Sequence, residues 1–435
     1  MEQRFDAIIA GGGIAGSTSA AALARLGLKV LICEAGLPNE RRLAGELVHP
    51  PVLSDLYALG LLAPLRGAGG FPVYGFALFR GADDEGLLLG YSEISGGRPA
   101  SIAVEHARMT RALLDATASQ HNVTLWYGAR VLTVDDEGDT PRVTVCRAGV
   151  ERQLSCRLVV SAEGRGAKLR RRAGIEVERG QPSWMVGYKL AHGRLPYPGY
   201  GHLFIGGPSV TLAYQISRTE VRVMFETGPD RDVPRDLLAP LPRPFRDDVE
   251  RGIADGARQT AKVFGLQPER SSHGNVAVVG DAGGCVHPLT ASGIAFCTGD
   301  PMRLARAVEG TLASGLDVEL ALRRYERARA RPMRTRTALG PALVDTLSGT
   351  SPGSRLLRRG LFRYLARSPR GRAASLALLS TRQSSSAVMA REYAAVLMHA
   401  LASLRDDDGD GRPSRLLPAV AELALRGTST LRQML

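Results

Sequence analysis

Lysine is almost missing from this chain: only four of its 56 basic residues are Lys, and the other 52 are Arg. Beside abundant Ala and Gly, that bias points to a GC-rich coding sequence rather than to selection for phosphate contacts. Cysteine is scarce as well. Cys33, Cys146, Cys156, Cys285 and Cys297 are odd in number, scattered and without CxxC spacing. That pattern argues against a disulfide framework and against a zinc site, and it leaves plain buried thiols. No apolar run reaches the ~18 residues of a membrane-crossing helix; the longest candidate, Tyr393 to Leu404, has 12 residues. A signal peptide is not read either, because a strand pattern begins directly after Met1-Glu2-Gln3-Arg4. A cytoplasmic location is expected. Acidic residues are lacking between Thr346 and Arg391, a stretch that holds nine Arg.

At 435 residues, with 44% hydrophobic and 23% charged residues, the chain has the make-up of a soluble globular protein of two or three domains. Its net charge of +13 is localised: residues 331–435 carry 17 Arg against 7 Asp and Glu, which is +10 of the total. A basic tail suits nucleic acid, an anionic membrane surface or an acidic partner.

Residues 5–34 read as a βαβ unit. A short strand, Phe5 to Ala10, leads into Gly11-Gly12-Gly13-Ile14-Ala15-Gly16. A small-residue helix follows to about Leu26, then a second strand, Lys29 to Cys33, ending on Glu34. In this G-x-G-x-x-G the glycines at 11, 13 and 16 serve a tight turn, close approach of backbone to a pyrophosphate, and close helix–strand packing. The helix start at Ile14, Ala15 and Gly16 offers free N–H groups and a partial positive charge to phosphates. Glu34, 18 residues after Gly16, stands where a carboxylate accepts from a ribose hydroxyl. FAD, NAD and NADP are not distinguished by this motif alone.

A second hydrophobic strand, Val276 to Val279, ends in Gly280-Asp281, followed by Pro288, Gly293, Ile294 and a helix. Paired with the first motif, it resembles the second FAD motif of class A flavoprotein monooxygenases. By that resemblance Asp281 binds the ribityl chain, and the segment from Pro288 to Gly293 and Ile294 presents backbone amides to the flavin ring. Within that class four stretches resemble squalene monooxygenases: Gly45-Glu46-Leu47-Val48-His49-Pro50 with Leu59-Gly60-Leu61, His106-Ala107-Arg108-Met109, Tyr214-Gln215-Ile216-Ser217 with Glu220 to Val223, and His287-Pro288-Leu289-Thr290. The resemblance spans roughly residues 5–330. It implies that Arg42 and Arg108 contact the cofactor and that Val131 lies beside the adenine. Departures accompany it. The family's Asp-Gly motif is Glu163-Gly164 here, its usual Ser is Ala167, and its glycine-rich turn reads Ala291-Ser292-Gly293. Since that Asp-Gly motif is tied to nicotinamide cofactors, NADPH or NADH is expected as the ultimate electron donor, through a separate flavin reductase.

The expected fold is α/β: a Rossmann-like FAD-binding domain with an inserted antiparallel-sheet substrate domain and a C-terminal helical region. The divisions are 1–176 and 271–335 for the FAD-binding domain, the first with a β-rich insert, 177–270 for the substrate domain and 336–435 for a helical, basic region. The expected function is FAD-dependent epoxidation or hydroxylation of an electron-rich C=C bond by O2. The resemblance implies a flavin C4a-hydroperoxide as oxidant, acting on a lipophilic terpenoid or prenylated heteroaromatic substrate. No metal is expected. An isoprenoid double-bond reductase and a non-catalytic flavin-binding protein are the alternatives; a halogenase of this fold needs a Trp-rich motif that two tryptophans do not supply. His49 and Tyr214 are candidates to line the cavity facing the flavin, with His49 equally a capping or packing residue and Tyr214 equally a core strand residue. Trp184 and Phe225 read as substrate-wall or core residues.

The Arg-rich tail reads two ways. At ~100° per residue on a helix, Leu357, Leu361, Tyr364 and Leu365 share one side while Arg355, Arg359, Arg363 and Arg367 lie largely opposite, with Arg358 and Phe362 breaking the partition. Such a helix either lies peripherally on a membrane surface or packs on the sheet domain with a solvated Arg face. Without an aromatic stacking platform or a binding motif, nucleic acid is not expected.

Overall fold

The computed structural model describes residues 4–36, 43–135, 141–256 and 258–404. Its first layer is a six-stranded sheet in the order Ser272–His273, Val276–Val278, Leu158–Ser161, Ala7–Ala10, Val30–Glu34, Val123–Tyr127. All pairings are parallel except the antiparallel edge hairpin of the first two strands. Alternation along each strand divides the side chains between two faces. Ala7, Ile9, Val30, Ile32 and Val160 pack with Leu304, Val308 and Tyr325 from the helices on one side. Ile8, Leu31, Cys33 and Val159 pack on the other side with Val131, Val143 and Val145 of a three-stranded antiparallel sheet. Burial on both faces explains why these strands read as continuous apolar runs. The helix Ile14–Ala24 is buried at every position, and its small side chains let it lie close against the helix Gly293–Glu309.

The second layer is a seven-stranded sheet ordered Gln259–Val263, Ser183–Ala191, Glu220–Thr227, Thr211–Gln215, Tyr200–Phe204, Gly75–Phe79, Leu87–Gly90. It is antiparallel except where Tyr200–Phe204 runs parallel to Gly75–Phe79. The sheet thus takes its last two strands from residues assigned by sequence to the nucleotide-binding part, and a division at 176 cuts across it. Those strands follow no local signal of their own; they belong here because Phe76 and Leu78 find their apolar partners Leu203 and Leu289 on this sheet and beside it.

Among the described residues the last four α-helices are Val318–Ser348, Pro352–Arg367, Pro369–Leu379 and Ser386–Ser403. Leu357, Tyr364 and Leu365 are buried in the core shared with Phe76, Leu78, Leu89 and Leu203, while Arg355, Arg359 and Arg367 face solvent. The apolar side of the Pro352–Arg367 helix therefore covers the sheet, which is the packing alternative of the two sequence readings. The two residues that broke the helical partition have tasks of their own. Arg358 donates to the carbonyls of Thr346 and Gly349 at 3.0 and 2.5 Å, capping the end of the preceding helix. Phe362 is 7% exposed, with the Arg80 guanidinium 5.4 Å from its ring. Among the described residues, no helix is long and apolar enough to cross a membrane. The polar stretch Asp406 to Gly411 lies outside the described residues.

Candidate functional site

The glycine turn opens onto a groove of about 640 Å³ lined by Gly11 to Ala15, Glu34, Val131, Glu163 and Asp281, among others. A side chain at Gly13 would meet nothing within 4 Å, whereas one at Gly16 would come 1.8 Å from the Gly11 carbonyl oxygen. Gly13 thus borders empty space, and Gly16 seats the helix against the turn. No side chain caps the helix start at Ile14, so its first N–H groups are left for an anion. Glu34 accepts from the N–H of Gly12 at 2.6 Å and of Gly36 at 2.8 Å, holding its carboxylate at the groove wall.

Across the partition formed by Ile14, His106, Asp281 and Cys297, which line both spaces, lies a second cavity of about 240 Å³. Pro288, Gly293 and Ile294 form one wall; Glu46, Phe76, Leu212, Tyr214 and Met224 form others. Asp281 stands at the junction, with Arg165 Nε 3.9 Å away. Ala291 has φ of 47°, the left-handed region that favours glycine, so the alanine here carries backbone strain as well as extra bulk at the cavity wall. Gly280 lies beneath the junction, packed on Ala15 and Cys297, and donates to Asp300 Oδ2 at 3.2 Å.

Other residues singled out from sequence fall elsewhere. The helix His106–Ala118 turns His106, Thr110 and Leu114 to the groove at spacing i, i+4, i+8. Arg108, about 200° around from His106 at ~100° per residue, is exposed and pairs with Glu105 at 3.2 Å. Thr110 was not marked by the sequence reading, yet its buried Oγ1 has no protein partner and borders the groove. The turn-by-turn spacing from His106 was the signal that could have found it. His49 is fully buried and absent from the cavity wall; its Nδ1 contacts Tyr91 Oη at 2.8 Å. Burial pushes its pKa down to about 4 against the Thr290 backbone, which acts the other way. It is a packing residue at the start of the Pro50–Ala58 helix. Phe225 points to the opposite face of the sheet, into the cluster of Phe204 and Phe245. Trp184 lies under the guanidinium of Arg231, 3.8 Å from its ring centroid. Arg42 lies outside the described residues.

Tyr214 does reach the cavity, but its hydroxyl belongs to a buried network. It donates to Glu46 Oε2 at 3.3 Å, and burial, with Glu46 beside it, drives its pKa well above the ordinary value. Arg222 grips the same carboxylate and donates to Gln259 Oε1 at 2.7 Å. On the far side, Glu163 accepts from the Leu169 N–H at 2.8 Å. The buried Arg170 donates to the Ala282 carbonyl at 2.8 Å, tying the Glu163-Gly164 loop to the Gly280-Asp281 loop.

A groove built on a helix N-terminus, with the Glu34 carboxylate and an unpartnered hydroxyl at its wall, fits FAD, and the apolar cavity at its end fits a substrate. Fold and site together define an FAD-dependent monooxygenase. The squalene epoxidase model matches residues 155–417 and the FAD binding domain model matches residues 4–197. The first match covers more than half of the chain, and the chain belongs to the squalene epoxidase family. It is 27% identical to squalene epoxidase 6 of Arabidopsis thaliana over 83% of this chain and 73% of that protein. It is 25% identical to the squalene monooxygenase of Mus musculus over 91% of this chain and 71% of that one. Among solved structures, a probable FAD-dependent monooxygenase from Pseudomonas aeruginosa superimposes with a TM-score of 0.67 at 25% identity, over 80% of this chain and 97% of the other.

Proposed function

We propose that this enzyme transfers one atom of O2 to an electron-rich C=C bond of a lipophilic terpenoid or prenylated heteroaromatic, giving an epoxide or hydroxylated product. The observation that carries this reading is the continuity of the two spaces, with Asp281 and Ile14 lining both the cofactor groove and the apolar cavity. FAD, when bound, supplies the activation of O2. Gly13, Ile14, Ala15, Glu34 and Asp281 hold the cofactor, and Val131 lies beside its adenine. Pro288, Gly293 and Ile294 form the wall against its reactive ring. The protein's other tasks are to orient the alkene and keep water away, because positioning supplies much of the rate.

An elongated substrate is supported by a further apolar pocket of about 140 Å³ under the C-terminal helices, which shares Phe76, Leu203, Leu289 and Leu379 with the cavity. Electrons come from NADPH or NADH through a separate reductase, a reading supported by Glu163, whose carboxylate is committed to the start of the Lys168–Arg172 helix. We read the protein as cytoplasmic, with peripheral membrane contact through the exposed Arg355, Arg359 and Arg367. The test is turnover under ¹⁸O₂ with a reductase and a panel of linear terpenes and prenylated heteroaromatics. One labelled oxygen in the product is expected. A saturated product formed without O2 would assign the chain to double-bond reduction instead, and an unlabelled oxygenated product would exclude O2 as the oxygen source.

A further inference from the structure

Four arginines hold successive residues of the loop that follows the Val276–Val278 strand. Arg165 Nε stands 3.9 Å from the Asp281 carboxylate, and Arg170 donates to the Ala282 carbonyl at 2.8 Å. Arg329 Nη2 donates to the Gly283 carbonyl at 2.5 Å, and Arg336 Nη1 to the Gly284 carbonyl at 3.3 Å. Three of them are accounted for. Arg165 also donates to the Lys262 carbonyl at 2.6 Å, Arg329 is paired with the buried Asp300 at 2.9 Å, and Arg170 borders neither the groove nor the cavity.

Arg336 is different. It comes from the Val318–Ser348 helix, is 4% exposed, and lines the apolar cavity beside Thr290, Ser292 and Gly293. Its guanidinium lies 4.1 Å from the ring centroid of Phe296, in the first turn of the Gly293–Glu309 helix. Its Nε makes no hydrogen bond within the protein, and among the described residues no carboxylate forms an ion pair with it. Burial presses its pKa below the ordinary value, with Asp281 foremost among the groups that oppose this; an arginine remains a cation even so. The same wall carries the N-terminus of the Gly293–Glu309 helix, which has no acidic residue in its first turn and no side-chain cap. Its partial positive charge adds to that of Arg336. A buried cation whose lost hydration is only partly replaced is costly, and a negative charge arriving beside it relieves that cost.

We propose that Arg336 sets the reduction potential of the bound flavin, by stabilising the negative charge that two-electron reduction places on the ring. This rests on the monooxygenase reading above, in which the wall from Pro288 to Ile294 faces that ring. Two electrons from the nicotinamide donor, passed on by the reductase, and one proton from water reduce the ring while the donor is oxidised. The ring thereby gains one negative charge. Attraction to Arg336 acts on the reduced ring and hardly at all on the neutral oxidised one, so the potential rises. The apolar cavity screens this attraction less than water would. Electrons delivered by a partner thus reach a ring whose reduced form this cation holds.

Anaerobic potentiometric titration of the FAD-loaded full chain tests the proposal without substrate or O2. Arg336→Met keeps an aliphatic chain against Phe296 and removes the charge. It should weaken the hold on reduced relative to oxidised flavin about tenfold or more, a fall in midpoint potential of about 30 mV or more for a two-electron couple. Arg336→Lys should return most of that fall. Arg334→Met removes the same charge from an exposed site on the same helix, outside the cavity lining, and should leave the potential where it is. Should Arg336→Met lose FAD on purification, its Kd values for oxidised and for dithionite-reduced FAD give the same quantity, since their ratio fixes the shift. Melting temperature controls for folding. An unchanged potential, or equal weakening of both forms, would overturn the proposal, and so would an equal fall in Arg334→Met. The ¹⁸O experiment stands apart: absence of label would remove the oxygen-transfer reading and leave the potential shift in place, whereas an unshifted potential with labelled product would remove only the role of Arg336.

Discussion

Arg222 and Glu46, 176 residues apart, form a two-pronged ion pair that excludes water: Nε and Nη2 donate to Oε2 and Oε1 at 2.9 and 2.8 Å, with side chains 1% and 2% exposed. The pair clamps the loop ahead of the Leu47–Val48 strand to the substrate sheet, where Glu46 lines the cavity. Removing one partner strands a buried charge. Arg222→Met should destabilise the fold by about 3–5 kcal/mol, read as a lower urea midpoint at an unchanged slope. Arg222→Met/Glu46→Leu should recover most of that loss, since the orphaned carboxylate is gone.

Gly13 and Gly16 should fail in different ways. A side chain at 13 enters open groove and at 16 strikes the Gly11 carbonyl. Gly13→Val is expected to fold but to purify without FAD, as a colourless protein. Gly16→Val should lose stability with or without flavin. Full flavin occupancy in folded Gly13→Val would contradict the cofactor assignment.

Two buried histidines make stability acid-sensitive. Burial lowers His49 and His202 from 6.5 to about 4. Between those limits the unfolded chain binds protons that the folded chain does not, so stability is lost as pH falls from about 6.5 toward 4. Each histidine contributes on the order of 3 kcal/mol to that loss. His202 lies 5.7 Å, ring centroid to ring centroid, from each of Phe79 and Phe204 in one aromatic cluster, so His202→Phe keeps an aromatic ring in the site. The variant should show a shallower drop in urea stability between pH 7 and pH 5 than the wild type, by about half if the two sites act alike.

The C-terminal helices are expected to be needed for folding as well as for any surface contact. Gly360 lets the Pro352–Arg367 helix approach Ala400 of the Ser386–Ser403 helix so closely that a Cβ there would lie 2.6 Å from the Ala400 N and the Val396 O. Gly360→Leu should separate the two helices, expose Phe76 and Leu203 beneath them, and increase binding of a hydrophobic dye. Charge reversal at Arg355, Arg359 and Arg367 should leave the melting temperature within a degree or two and affect only co-sedimentation with anionic vesicles, most strongly at low salt.

Direct reduction by NADPH should be slow. Mixed alone with NADPH in stopped flow, the enzyme is expected to reduce its flavin far more slowly than in the presence of a reductase. Rapid stoichiometric reduction by NADPH alone would remove the need for a partner.

Much of the architecture follows from local pattern. A strand, three glycines and a small-residue helix with Glu34 in register require only neighbours in sequence, and so does the Gly280-Asp281 strand end. The same holds for the strands Thr211–Gln215 and Glu220–Thr227, whose alternation marks them wherever they pack. Direction is a different matter. That Arg108 turns from the groove while Thr110 faces it is decided by how the His106–Ala118 helix is rotated against the sheet. That His49 is entombed beside Tyr91 while Glu46, three residues earlier, lines the cavity depends on Arg222 arriving from another sheet. The apolar side of the Pro352–Arg367 helix is equally visible in sequence, but sequence cannot tell a lipid surface from a protein one, since both supply the same escape from water. Phe76, Leu203 and Leu289 made that choice. The chain itself determined the elements and the cofactor motifs, because their signals are periodic and short in range; the partners of Glu46 and the C-terminal helices were left to the tertiary fold, because each lies far away in sequence and only packing brings it near.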